Sequence, residues 1–186
     1  TTLPQYYDLL AANTRYGPGF MIVTVKVNRP ITNGLGGVID MDLDEKLTTG
    51  DSSWASYFGG PPEGVDAFAQ FRTDKPGSFL SLYPYTTLSG IQVIAAGDSV
   101  QVFVPLDHLK DDGNMTMQIS IGRIVSTSQG EFLIFSDFGP NAALIVTRAP
   151  PGPALAAGLV PERTAARLTR TGRGTGRVMP LGKPPR

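Results

Sequence analysis

Short runs of alternating apolar and polar residues, separated by turn residues, are the feature that most constrains the fold of this chain. In the clearest run, Phe20–Val27, the apolar side chains of Met21, Val23 and Val25 alternate with polar residues such as Thr24. Alternation of this kind places the apolar side chains on one face of a strand. The run therefore predicts a half-buried β-strand.

Further strand-like runs complete a predicted set of about nine strands. They are residues 36–44, 67–73, 79–83, 91–95, 100–104, 115–121, 132–135 and 143–147. Turn pairs such as Pro76-Gly77, Ser89-Gly90 and Gly97-Asp98 separate them, and the chain has 22 Gly and 16 Pro, which favour turns over long helices. Only residues 105–110 look like a helical turn. The pattern predicts an all-β fold, an antiparallel, jelly-roll-like β-sandwich.

Charge and composition divide the chain into three parts. Residues 1–19 form a predicted N-terminal arm or short helix, residues 20–148 the sandwich domain, and residues 149–186 a Pro/Arg-rich C-terminal tail. Up to residue 148 the chain has 9 Lys or Arg against 15 Asp or Glu, a net charge of −6. The tail has 7 against 1, a net charge of +6. An acidic domain is therefore followed by an extended basic tail.

The tail has no aromatic residue and too few apolar ones to build a core. Its arginines recur at intervals of three or four, which would align them on one face of a helix, but glycines among them disfavour a helix. A flexible linker and an intermolecular arm that contacts an acidic surface are both open interpretations. The predicted tail contacts are Arg163, Arg167, Arg170, Arg173 and Arg177.

An acidic pattern in the second predicted strand indicates a metal site. Asp40, Asp42 and Asp44 alternate with apolar residues, so a strand would place them on one face, about 7 Å apart. A hard cation such as Ca²⁺ would relieve their repulsion, with Asp51 as a fourth ligand. The spacing resembles an EF-hand loop, but Glu45 stands where that loop requires glycine, so an EF-hand is rejected. The alternative is a solvated acidic face that protects a sheet edge.

Three segments together resemble a recurrent β-sandwich module of secreted bacterial and archaeal proteins. They are GVIDMDLDEKLTTG, VQVFVPLDHLKDDGNMTMQISIG and SDFGPNAA, and the similarity spans roughly residues 20–147. The resemblance implies a jelly-roll-like sandwich that holds calcium through its aspartates. It also implies an accessory, adhesive or surface-structure role with no common ligand.

Few other residues suggest a site. Trp54 and Tyr57 are candidates for stacking on a glycan or a partner, although filling of the core explains them equally well. Asn114 begins an N-glycosylation sequon. His108, the one histidine, lies beside Asp107. A lone histidine next to an aspartate is more often a surface residue than a catalytic base. Hydrolase, zinc-protease and phosphate-loop motifs are absent from the sequence, so we expect no catalytic residue and no enzyme activity.

Composition bears on location and partners. The chain has no cysteine and no apolar run near the roughly 18 residues of a membrane helix, and it starts at Thr1. We expect a secreted or cell-surface protein of a prokaryote, without a membrane span. The predicted function is a non-enzymatic structural or assembly module, a homo-oligomer or filament built through its terminal arms. The alternative is a carbohydrate-binding or adhesive accessory domain of a larger secreted protein. The acidic body argues against nucleic acid as a partner.

Overall fold

A computed structural model describes residues 6–32, 34–53, 63–84, 86–109, 114–139, 145–147, 163–167 and 178–181 of the chain. These residues form an all-β structure with a single 3-10 turn at Leu106–His108. The strands are β1 Leu9–Gly17, β2 Phe20–Val27, β3 Leu35–Asp42, β4 Ala67–Arg72, β5 Phe79–Leu82, β6 Thr86–Gly90, β7 Gln92–Ala96, β8 Ser99–Pro105, β9 Met115–Thr127, β10 Gly130–Gly139, β11 Ile145–Thr147, β12 Arg163–Arg167 and β13 Val178–Pro180.

The strands form two antiparallel sheets, which confirms the predicted all-β class. The first sheet has the order β12-β1-β2-β8-β7. The second has the order β13-β10-β9-β3-β4-β5-β6, and β11 pairs with β9 beside the end of β10. The chain changes sheet after β2, β6, β8, β11 and β12, so each sheet is built from strands that are distant in sequence.

One hydrophobic core joins the two sheets. The alternating residues predicted for β2 lie in it, together with alternate residues of β8, and they pack with residues of β3, β4 and β9 from the second sheet. Burial of these apolar side chains is the main source of stability in such an arrangement. The fully buried members include Met21, Val23, Val25, Val100, Val102, Ile39, Phe71, Met117 and Ile119. The two sheets therefore have a sandwich-like relation.

The centre of the second sheet is buried on both of its faces. Every residue of β3 and of β4 is buried, including those that point away from the core. A second apolar cluster lies on the outer face and contains Val38, Phe68, Leu133, Phe135 and Met179. Polar residues of β3, β4 and β9 lie buried on that same face. This sheet therefore provides a sheltered polar surface at its centre.

The N-terminal part differs from the expected arm or short helix. Residues Leu9–Gly17 form β1, which pairs along its length with β2. The Leu9 N–H donates to Asp137 of β10 at 2.8 Å, and the Ser136 hydroxyl donates to the Tyr7 carbonyl at 2.6 Å. Backbone and side-chain contacts thus attach β1 to both sheets.

The predicted turn at Ser89-Gly90 is wrong, because both residues lie in β6.

The described parts of the C-terminal segment are strands that pair with the domain itself. β12 pairs with β1, with Ala12 opposite Ala166, and β13 pairs with β10, with Leu133 opposite Met179. The sequence left open a flexible linker and an intermolecular arm. Each of these two strands adds to one edge of a sheet, where backbone groups of β1 and β10 need partners. Arg170, Arg173 and Arg177 lie outside the described residues.

Candidate metal centre

Carboxylates collect where the chain leaves β3 and returns to the sheet as β4. Antiparallel pairing sets Met41 opposite Ala67, so residues just after β3 lie beside residues just before β4. Asp40 and Asp42 lie on one face of β3, as the alternation predicts. Asp44 lies beyond the strand, because β3 ends at Asp42. The prediction that all three project from a single strand is therefore wrong for Asp44.

Asp42, Asp44 and Asp66 form a cluster that can hold a metal ion. One ligand atom from each of them lies within 4.8 Å of the others. Asp42 is buried, while Asp44 and Asp66 are half-buried. Three carboxylate oxygens at such separations match the ligand type that hard divalent cations prefer. The sequence predicted two members of this cluster and missed Asp66.

Backbone N–H groups hold two of these carboxylates in place. Asp42 accepts from Lys46 N at 3.1 Å and from Gly64 N at 3.3 Å. Asp66 accepts from Leu43 N at 3.0 Å. Since each carboxylate oxygen has more than one lone pair, these contacts leave capacity for a cation.

The third carboxylate, Asp44, is fixed by its own loop. It accepts from Thr49 Oγ1 at 2.7 Å and from Lys46 N at 3.1 Å, and the Lys46 ammonium lies 3.6 Å from it. This ammonium is largely exposed, so the ion pair is weak and can give way to a more highly charged ion.

Two glycines allow the connection to close tightly around the cluster. A Cβ on Gly64 would overlap the carbonyl oxygens of Lys46 and Thr49. Gly50 has a φ of +67°, and a Cβ there would overlap the carbonyl of Val65. The loop after β3 and the segment before β4 are thus in direct backbone contact.

Asp40 lies deeper, at the centre of the outer face of the second sheet. Its side chain is fully buried, and neither carboxylate oxygen has a hydrogen-bond partner among the residues the structure describes. Burial, and then the charge of Asp51, raise its pKa to about 8. A buried ion without a partner costs several kcal/mol. Asp40 is therefore unfavourable as a bare carboxylate.

Glu63 is the second buried acid. It is 2% exposed, it accepts from the Asp42 backbone N–H, and its Oε1 has no partner among the described residues. Burial, followed by the charges of Asp40 and Asp42, raises its pKa to about 10. Sequence reasoning missed Glu63 entirely.

Asp51 is near this group but is held differently. Its backbone forms a bridge with Val65, and its carboxylate accepts from Ser53 N at 2.8 Å and Ser53 Oγ at 2.6 Å. The predicted set of four aspartates thus lies at different depths: Asp40 and Asp42 are buried, whereas Asp44 and Asp51 are half-buried. Pairing could have revealed Glu63 and Asp66, because residues just before β4 must lie beside the end of β3.

The other predicted site residues do not join this centre in the part of the chain described. Trp54 and Tyr57 lie outside the described residues. Asn114 is partly buried just before β9, and its glycosylation stays a prediction. Arg163 and Arg167 lie in β12, whose backbone pairs with β1.

Comparison of the chain with protein-family models, with curated proteins and with solved structures found no match. Among the described residues, no helix has the length and apolar character needed to cross a membrane.

Proposed function

We propose that this chain is a non-enzymatic structural or accessory module, a β-sandwich whose stability depends on Ca²⁺. The observation that carries the proposal is the cluster of Asp42, Asp44 and Asp66, with ligand atoms within 4.8 Å of one another. The cluster joins the end of β3 to the start of β4. An ion bound there ties the two ends of a long connection to the centre of the second sheet.

The chemistry of the cluster favours calcium over other hard cations. Its donors are oxygens from an irregular loop and a strand end, and Ca²⁺ accepts six to eight oxygen ligands in flexible geometry. Mg²⁺ requires a near-ideal octahedron and is rarely held by protein groups alone. Extracellular modules bind calcium with dissociation constants of about 10⁻⁴–10⁻³ M, which suits the predicted secreted location.

Two features support a structural role for these carboxylates instead of a catalytic one. Asp42 and Asp66 accept hydrogen bonds from backbone N–H groups, so they fix the path of the chain. Asp44 accepts from the side-chain hydroxyl of Thr49, which fixes it within its loop. Groups that shape a loop and neutralise a cation are not poised for proton transfer to a substrate.

The wider roles remain predictions. Assembly through terminal arms was inferred because the tail cannot form a core of its own. In the structure, β12 and β13 pair with strands of the same chain. Glycan binding was inferred from Trp54 and Tyr57, which lie outside the described residues. We therefore propose a calcium-stabilised module.

Thermal unfolding of the full chain with calcium and with a chelator tests the proposal. A ligand that binds only the native state stabilises it by about 2.7 kcal/mol at one hundred times its Kd. For a chain of this size, that corresponds to a rise of about 5–10 °C in the unfolding midpoint. The same midpoint in saturating calcium and in chelator would contradict the proposal.

Two variants locate the effect. Asp44→Asn keeps the shape of the side chain and removes its charge, so most of the calcium response should disappear. Asp107→Asn is the matched control, because Asp107 is exposed in the 3-10 turn, outside the cluster. The control should respond to calcium as the original chain does. An Asp44→Asn variant that responds to calcium as fully as the control would place the ion elsewhere.

A further inference from the structure

We infer that this centre holds two cations: an outer one at Asp42, Asp44 and Asp66, and a buried inner one ligated by Asp40 and Glu63. The inference rests on the proposed function and adds a second site to it. The inner site uses residues outside the outer cluster, and Asp42 stands between the two.

The carboxylate of Asp40 is the first observation that requires a ligand. It is fully buried, and both of its oxygens lack hydrogen-bond partners among the described residues. Buried polar atoms are nearly always paired, so two orphan oxygens on one side chain need an explanation. Protonation would remove the charge, but the new O–H would then need an acceptor of its own. A cation satisfies both oxygens at once.

Glu63 supplies the second carboxylate from the opposite side of the connection. One of its oxygens accepts from the Asp42 backbone, which places this carboxylate at the end of β3, while Oε1 has no partner in the described structure. Gly64 next to it donates to Asp42 Oδ2 at 3.3 Å, which fixes the direction of the chain there. Asp40 and Glu63 thus approach the same buried space from two elements.

A neutral side chain gives independent evidence for a ligand in that space. Gln118 of β9 lies directly opposite Asp40 of β3 on the same sheet face. It is 1% exposed, and its Nε2 has no partner among the described residues. Next to it, Thr116 lies opposite Asp42, and its hydroxyl is also buried and unpartnered in the described structure. The Gln118 N–H donor cannot bind a cation directly, but together with the unpaired acids and the hydroxyl it matches an ion that carries bound water.

Calcium stoichiometry of the full chain tests the inner site. The chain is freed of metal, dialysed against calcium, and analysed for bound calcium by atomic emission. We expect about two ions per chain at saturation. Glu63→Gln should lose the inner ion and retain about one. Asp66→Asn should lose the outer ion and also retain about one, whereas the control Asp107→Asn should keep both.

The outcomes separate this inference from the proposed function. One ion in the original chain, unaffected by Glu63→Gln and lost in Asp66→Asn, overturns the inner site and leaves the outer one intact. Two ions that survive Glu63→Gln overturn the assignment of Glu63. An original chain that binds none overturns both proposals. Since the original chain needs no substitution, its ion count is decisive even if a variant fails to fold.

Discussion

Arg72, at the end of β4, is the centre of a second charged group. Its guanidinium is 7% exposed and forms two short hydrogen bonds to Asp74, at 2.8 and 2.7 Å. It also donates to Glu131 of β10 at 2.9 Å, and Lys75 lies 2.8 Å from the same Glu131. Bidentate contacts of this kind are the stronger form of ion pair. This group links β4 to β10 across the sheet, away from the acidic centre.

Acid should weaken this group. Hydrogen bonds from Arg72 and then Lys75 lower the pKa of Glu131 to about 2, and the hydrogen bond from Arg72 also lowers the pKa of Asp74. A lowered folded pKa stabilises the native state above the unfolded pKa, and this contribution disappears as pH falls through the folded value. The free energy of unfolding should therefore fall between pH of about 4.5 and about 2. Urea unfolding across that range measures it.

Glu131→Gln provides the comparison for the acid prediction. The variant lacks the titrating group, so its free energy of unfolding should be lower near neutral pH and should decline less towards pH 2. A decline as steep as that of the original chain would show that Glu131 does not contribute to acid sensitivity.

Residue patterns predicted the acids of β3 but not their partners. Alternation identifies Asp40 and Asp42 because they are two residues apart on one strand. Glu63 and Asp66 are adjacent to them only through the pairing of β3 with β4, and no local pattern encodes that pairing. The burial of Asp40 was also unforeseen, because an alternating acidic strand normally exposes its polar face.

At the scale of the elements, β9 approaches β10 unusually closely. Gly122 of β9 pairs with Phe135, next to a shift in register between Phe135 and Asp137. A Cβ on Gly122 would overlap the carbonyl oxygen of Ile134. Such a bulge bends a strand and often depends on glycine in its partner. The position therefore requires a residue without a side chain.

Gly122→Ala should destabilise the protein by about 1–3 kcal/mol, the usual cost of overpacking. The control is Gly90→Ala in β6, where the nearest atom to the new Cβ would be the Ser78 carbonyl oxygen at 3.7 Å, an ordinary contact. This control should change stability by less than about 0.5 kcal/mol. Urea unfolding of both variants measures the difference. Equal values would show that the β9–β10 spacing is not constrained at Gly122.

Strand prediction succeeded where apolar residues alternate and failed where pairing decides. The bounds predicted for β2 match the structure, because its buried positions are all apolar. β1, β6, β12 and β13 were missed. The first three contain Asn, Thr, Ser, Gly, Ala and Arg in place of β-branched apolar residues, and β13 is only three residues long. Such strands form where a neighbour offers free backbone groups, which sequence patterns do not reveal.

At the scale of the whole molecule, the two sheets have different environments. The first sheet ends at β7, whose residues are mostly exposed, while β3 and β4 of the second sheet are buried on both faces. Composition predicted the all-β class, because turn residues and short apolar runs exclude long helices. It could not predict a sheet with a buried polar face, since burial of that face depends on contacts distant in sequence.

We propose that the buried acidic face of the second sheet binds calcium. The most direct test is a crystal structure of the full chain grown in calcium, with anomalous diffraction recorded at long wavelength. We expect two anomalous peaks at the end of β3. One marks an ion bound by Asp42, Asp44 and Asp66, and the deeper one marks an ion bound by Asp40 and Glu63. A well-ordered β3–β4 connection in saturating calcium without any anomalous peak at these carboxylates would contradict it.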